Sequence, residues 1–180
     1  VALRSGLSGL RQRLSVGLLP VALWGCHLGY RVDVVATPEV DPLARPAGLA
    51  TICVLRPQTF GALATFQHYD NGRLVAVTQG SRIYACHLAE PGWHRLVARS
   101  DNDAALDLKV RAGELHFVQL EVRLGPDAIR VVDPDEGLRA VPRMRYVVAV
   151  PTAGGPPLCK RPVPAAPDAN RGCPVVLVPL

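Results

Sequence analysis

Five histidines and five cysteines are the side chains of this 180-residue chain whose types lend themselves to metal or redox chemistry. A zinc site needs three or four converging ligands with partners behind them. Of His27, His68, His87, His94 and His116, only His87 and His94 are close in sequence. They flank the turn Glu90-Pro91-Gly92, where a hairpin would bring them together across two strands. The pattern therefore predicts no metal: His94 serves the turn through hydrogen bonds, and the others occupy strand surfaces. The cysteines, at 26, 53, 86, 159 and 173, include no C-x-x-C pair, which argues against a redox motif or zinc knuckle. No G-x-S-x-G is present, and the only serines between residues 47 and 150 are Ser81 and Ser100. Asp101 and Asp103 bracket Asn102, and Asp133 and Asp135 bracket Pro134, spacings suited to acid–base work or calcium. Neither has the downstream Gly and Glu of a calcium loop, so both read as loop or helix-cap carboxylates. Gly154-Gly155 precedes prolines rather than a helix, which excludes a phosphate cradle. The expectation is that no residue is catalytic, cofactor-binding or metal-ligating.

Charge narrows the partners. The chain carries 20 basic and 15 acidic residues, a formal +5. Arg4, Arg11 and Arg13 lie in the first 25 residues, where there is no acid, and the remainder holds 17 basic residues against 15 acidic ones. A nucleic-acid surface needs clustered cations and stacking aromatics. The body has no cation cluster, and the chain has only nine aromatic residues. No nucleic-acid partner is expected.

The elements that would position any site are strands. Short β-branched runs occur at Ala50–Arg56, Ala64–Tyr69, Arg73–Thr78, Arg82–Leu88, Arg95–Ser100, Ala105–Val110, Leu115–Arg123 and Ile129–Val132. Asp70-Asn71-Gly72 supplies the Asn-Gly pair of a tight hairpin. Glu90-Pro91-Gly92, Ala112-Gly113-Glu114 and Gly125-Pro126-Asp127 add further turns. Strands at this spacing predict an all-β antiparallel sandwich or barrel over 47–150. Asp133, Pro134 and Glu136 signal the start of a helix of one or two turns, interrupted by Pro142. Tyr146–Val150 reads as a further strand. Residues 151–180 contain eight prolines and read as a Pro-rich extended tail, with an apolar Val175–Val178 run suited to a sheet edge. Residues 26–46, with Pro38, Pro42 and Pro46, read as a tether, the alternative being a first strand at Tyr30–Ala36.

The amino-terminal 1–25 has an acid-free basic stretch (1–15) and then an apolar core (16–25). The uncharged run from Leu14 to Gly25 is 12 residues with Pro20 inside it, shorter than the roughly 20 that span a bilayer. Its end, Leu23-Trp24-Gly25-Cys26, resembles the lipobox of bacterial lipoproteins, with Leu23 at the aliphatic position, Gly25 at the cut and Cys26 as the acylated thiol. Trp24 stands where that motif usually has a small residue. Two other readings remain: a different cleaved leader, such as an organellar transit peptide, or a buried helix with Cys26 as a core thiol.

Three stretches carry a second resemblance: AGLATICVLRP, YDNGRLVAVTQGSRIYACHLAEPGWHRL and LDLKVRAGELHFVQLEV. Their order is similar to a bacterial lipoprotein domain of unknown function with a small Ig-like, PEGA-like sandwich, over roughly residues 47–137. Phe117 stands where that family commonly has Tyr. The two resemblances together imply a lipid-anchored envelope protein, held to the membrane by acyl chains on Cys26. Its domain would bind or scaffold an envelope protein or glycan without catalysis or cofactor. His27 after the cysteine implies outer-membrane sorting, facing the periplasm. An envelope hydrolase or metal-dependent enzyme using the His and Asp residues is one alternative, and a secreted or organellar binding module without lipid is another. With Cys26 acylated, four cysteines remain in an oxidising compartment and allow three pairings. Cys159 and Cys173 flank a Pro-rich loop. Cys53 and Cys86 lie on predicted strands, where they either pair or serve as small core residues.

Overall fold

The β-branched runs become strands in two sheets. The computed structural model describes residues 29–152. The first sheet contains β1 (Tyr30–Val34), β2 (Ala50–Arg56), β5 (Ile83–Ala89), β8 (Leu115–Glu121), β9 (Ala128–Val132) and β10 (Arg145–Pro151), in the order β1-β10-β5-β2-β8-β9. The second contains β3 (Thr65–Asp70), β4 (Arg73–Gln79), β6 (Gly92–Arg99) and β7 (Asp103–Val110), in the order β4-β3-β6-β7. Pairing is antiparallel throughout except β2 with β8 and β5 with β10. The described residues form an all-β sandwich with one short α-helix.

Asn71 and Gly72 turn β3 into β4 with φ of 47° and 80°, the positive pair that a two-residue hairpin requires. The expected hairpin across Glu90-Pro91-Gly92 does not form. β5 and β6 belong to different sheets, so this turn carries the chain across the sandwich.

Residues of one parity fill the interior. Ile52 and Val54 of β2, Phe66 of β3, Leu96 of β6, Leu108 of β7 and Val118 of β8 meet between the sheets. The first sheet is buried on its other face too, and every residue of β2 is buried. There Cys53, Tyr84, Phe117 and Val132 pack beneath Val35, Leu43 and the α-helix α1 (Pro134–Ala140) with the 3-10 turn Val141–Arg143 that follows it. The Asp133 side chain accepts hydrogen bonds from the Asp135 and Glu136 N–H groups and caps α1. Gly137 rests so closely on Phe117 that a Cβ there would lie 2.2 Å from the ring.

Residues 30–34, expected within a tether, are a strand. β1 pairs with the full length of β10, from Tyr30 opposite Pro151 to Val34 opposite Val147. The reason is burial: β1 and β10 form a ribbon that leaves β5 after two paired residues, and Tyr30, Val32 and Ala149 cover Tyr69, Val77 and Val97 on the outer face of the second sheet. The prolines at 38, 42 and 46 fall in the segment after β1, where Val35 and Leu43 still pack on the first sheet.

Candidate functional site

Three polar side chains meet inside the sandwich. β3 alternates Phe66, His68 and Asp70 toward the interior, β6 contributes His94, and β5 contributes His87 from the opposite sheet. Asp70 binds both histidines: His94 Nδ1 lies 2.7 Å from Asp70 Oδ1, and His87 Nε2 lies 3.1 Å from Oδ2. The Nε2 of His94 is 2.7 Å from the Glu90 carbonyl oxygen, in the turn that crosses between sheets. Both ring nitrogens of His94 thus face acceptors, so both donate and the ring is an imidazolium. Burial works against its charge, and the Asp70 hydrogen bond overcomes this and raises its pKa. Burial likewise opposes the Asp70 carboxylate, but hydrogen bonds from His87 and His94 hold its pKa down to about 2. His87 donates to Asp70 from Nε2 and leaves its buried Nδ1 without a partner.

Two more buried polar groups extend this seam. His68 Nε2 lies 2.8 Å from Thr78 Oγ1. Burial, with Arg56 and His87 nearby, drives its pKa down to about 3, so it is neutral. Arg56 is fully buried at the end of β2, its guanidinium stacked 4.8 Å over the Phe66 ring. Among the described residues no carboxylate lies within ion-pair distance; Nη1 donates to the Ala64 and Thr78 carbonyls and Nη2 to that of Gly61, while the buried Nε has no partner. Burial lowers its pKa.

These positions differ from the sequence expectation. His68 and His87 are interior residues, whereas strand surfaces were expected. His94 does bond to the turn carbonyl, and the His87–His94 proximity arises through Asp70 across two sheets rather than across a hairpin. His116 pairs with Glu114 nearer the surface. Asp101 lies in the loop between β6 and β7, Asp103 pairs with Arg99, and Asp133 caps the helix. The sequence reading missed Asp70, which it took as a turn residue, and Arg56. Alternation of Phe66, His68 and Asp70 on one strand face was the available signal for Asp70. Nothing local marks Arg56. Among the described residues no group of three or more His, Cys, Asp or Glu is arranged to hold a metal ion.

Cys53 and Cys86 stand opposite each other on β2 and β5 and are joined as a disulfide, their Cα atoms 4.0 Å apart. Cys86 also borders a groove of about 640 Å³ between the 35–39 segment, β4 and β10. Val35, Pro38, Val75, Tyr146, Val148 and Val150 give it apolar walls, and Glu39 is its one charged lining residue. Leu23, Gly25, Cys26, Cys159 and Cys173 lie outside the described residues, as does the Val175–Val178 run.

No protein-family model, curated protein or solved structure matches this chain. Fold and chemistry therefore carry any functional reading. No helix among the described residues is long and apolar enough to cross a membrane.

Proposed function

We propose that the chain is a lipid-anchored bacterial envelope protein, held through Cys26, whose sandwich binds or scaffolds a partner and catalyses nothing. The observation that carries the non-enzymatic part is the closed Asp70–His87–His94 cluster. The histidines that could act as acid or base are buried and hydrogen-bonded to one carboxylate and a main-chain carbonyl, with the second sheet behind them. A general base must reach a substrate proton at hydrogen-bond distance, and these groups are engaged with each other. The Cys53–Cys86 disulfide supports an oxidising compartment, since such bridges persist outside the cytosol. The apolar groove, within the usual size of a ligand pocket, supports binding. The lipobox resemblance at Leu23, Gly25 and Cys26 supports the anchor, and the outer-membrane location follows from His27 by the same resemblance.

Intact mass of the amino-terminal peptide from the membrane fraction tests this reading, beside a Cys26→Ala variant. A peptide that begins at an acylated Cys26, with the variant left unprocessed, is the expected result. An unmodified Cys26 within an uncut leader would refute the anchor and return residues 1–28 to the question of the fold.

A further inference from the structure

β10 leaves its sheet before its pairing is complete. It lies beside β5 only at Arg145 and Tyr146, opposite Ile83 and Tyr84, and then runs on to Pro151 with β1 alone as partner. The Tyr146 carbonyl accepts the Val35 N–H, and the Thr152 N–H donates to the Gly29 carbonyl, each at 3.0 Å. Main-chain groups alternate in direction along a strand, so Tyr146, Val148 and Val150 turn theirs to β1. The N–H and carbonyl of Ala149, with the carbonyls of Val147 and Pro151, point instead into the gap that opens between β10 and β5. Across that gap Cys86 stands two residues beyond Tyr84, and its main chain faces the opening too. No strand among the described residues fills it.

The groove of about 640 Å³ occupies this gap. Val75 and Ala76 of β4 wall it on the inside, and Val35 and Pro38 wall it on the outside. A strand edge left open to water is ordinarily blunted by a charge or a bulge. From Tyr146 to Val150 the free edge of β10 has neither. A segment lying here would be extended, short, and apolar on both faces, because one face meets β4 and the other meets residues 35–39.

One stretch of this chain has that make-up. Residues 175–178 read Val-Val-Leu-Val, and no other part of 153–180 has three aliphatic residues in a row. A continuous apolar run is the pattern of a strand buried on both faces. Pro174 and Pro179 bound it, and proline, which has no N–H to give a ladder, belongs at strand ends. Extended, the run spans about 13 Å, which fits along β10 from Tyr146 to Pro151. The connection is feasible as well. The chain leaves β10 at Thr152, next to the lining residue Pro151, and residues 153–174 are longer than the seven-residue strand they must retrace.

We infer that residues 175–178 enter the groove as a further strand, pairing with the free edge of β10 and with Cys86. A partner taken into the same groove would have to displace them. The inference itself needs neither a partner nor acylation of Cys26.

The test is amide exchange followed by NMR on the full chain with Cys26→Ala, beside the same chain with Val176→Asp and Leu177→Asp. Both substitutions lie outside the described sandwich, whose remaining amides serve as the control. In the parent, slow exchange at Cys86, Ala149 and residues 176–178 is expected, with cross-strand NOEs between Ala149 and residues 175–178. The double variant should lose those NOEs and speed these amides at least about tenfold, leaving the strands β2, β3 and β6 unchanged. Three results would overturn the inference. One is a parent whose residues 176–178 exchange at the rate of an unstructured peptide. Another is Ala149 protection equal in parent and variant, which would put a different occupant, such as the leader, in the groove. The third is protection that grows with protein concentration alongside a dimer in sedimentation, which would make the inserted strand a second copy's.

Discussion

Replacing Asp70 by Asn preserves the shape of the side chain but removes the charge that His94 answers. The imidazolium would then sit in the interior without a counter-charge, a situation that typically costs about 3 kcal/mol. Asp70→Asn should lower the urea midpoint by a corresponding amount, with the slope unchanged. The same pair sets a pH window. The His94 pKa is raised above 6.5, so its contribution is complete below that value and is lost as pH rises through the folded pKa. The Asp70 pKa is depressed from 3.8 to about 2, so its contribution is complete above 3.8 and is lost as pH falls toward 2. His68, buried neutral with its pKa driven from 6.5 down to about 3, adds a loss that begins as pH falls below 6.5, so the melting temperature should be highest near pH 6.5 and decline on both sides, and His94→Gln should flatten the alkaline limb. A chain whose melting temperature stays level from about pH 6 to 9 would contradict the imidazolium. Asp70 was hidden in sequence because Asp-Asn-Gly is a complete explanation of an aspartate, and only the face shared with Phe66 and His68 points inward.

At the scale of elements, α1 and the cross-strand bridge hold the outer face of the first sheet. Gly137→Ala would improve helix propensity yet drive a methyl into Phe117, 2.2 Å away. The expected net loss is about 1–3 kcal/mol, read from denaturant unfolding, and a stabilised variant would show that α1 can lift from the sheet. The Cys53–Cys86 bridge closes a separation of 33 residues between strands already in register. Cys53→Ala with Cys86→Ala should cost about 4 kcal/mol by the chain-entropy argument, and dithiothreitol should lower the melting temperature of the parent chain but not of the variant. Elements with their own punctuation were legible: the Asn71-Gly72 hairpin, the Asp133 cap and the strands β2 to β9 stand close to where turn chemistry and alternation put them. β5 and β6 were legible as strands but not as partners, because a Pro-Gly turn does not say whether the chain returns to the same sheet. β8 carries apolar residues at both parities. It is buried on both faces, with Val118 and Leu120 between the sheets and Phe117 beneath α1.

The whole molecule depends on its first strand, which composition concealed among prolines. A chain trimmed to residues 47–150 keeps most strands but loses β1, uncovering Tyr69, Val77 and Val97. Such a chain should bind a hydrophobic dye and show poorly dispersed amide resonances, while one beginning at Gly29 should not. A native-like spectrum from the shorter chain would show that β1 is dispensable. Long-range pairing of this kind, Tyr30 with Pro151, leaves no local signal because each partner is only a short apolar run.

The early start of β1 also bears on posture. Only His27, Leu28 and Gly29 separate Cys26 from Tyr30, a leash of roughly 14 Å at most. β10 runs parallel to β5, away from the end where Arg56 faces Ile83, so Gly29 leaves the sandwich at the end opposite Phe60 and Leu63. A seven-residue strand separates the two ends by about 23 Å. If Cys26 carries acyl chains, so short a leash moors the body by one end and leaves the end with Phe60 and Leu63 free. The body can then swing like a boat on a short painter, but it cannot drift from the surface.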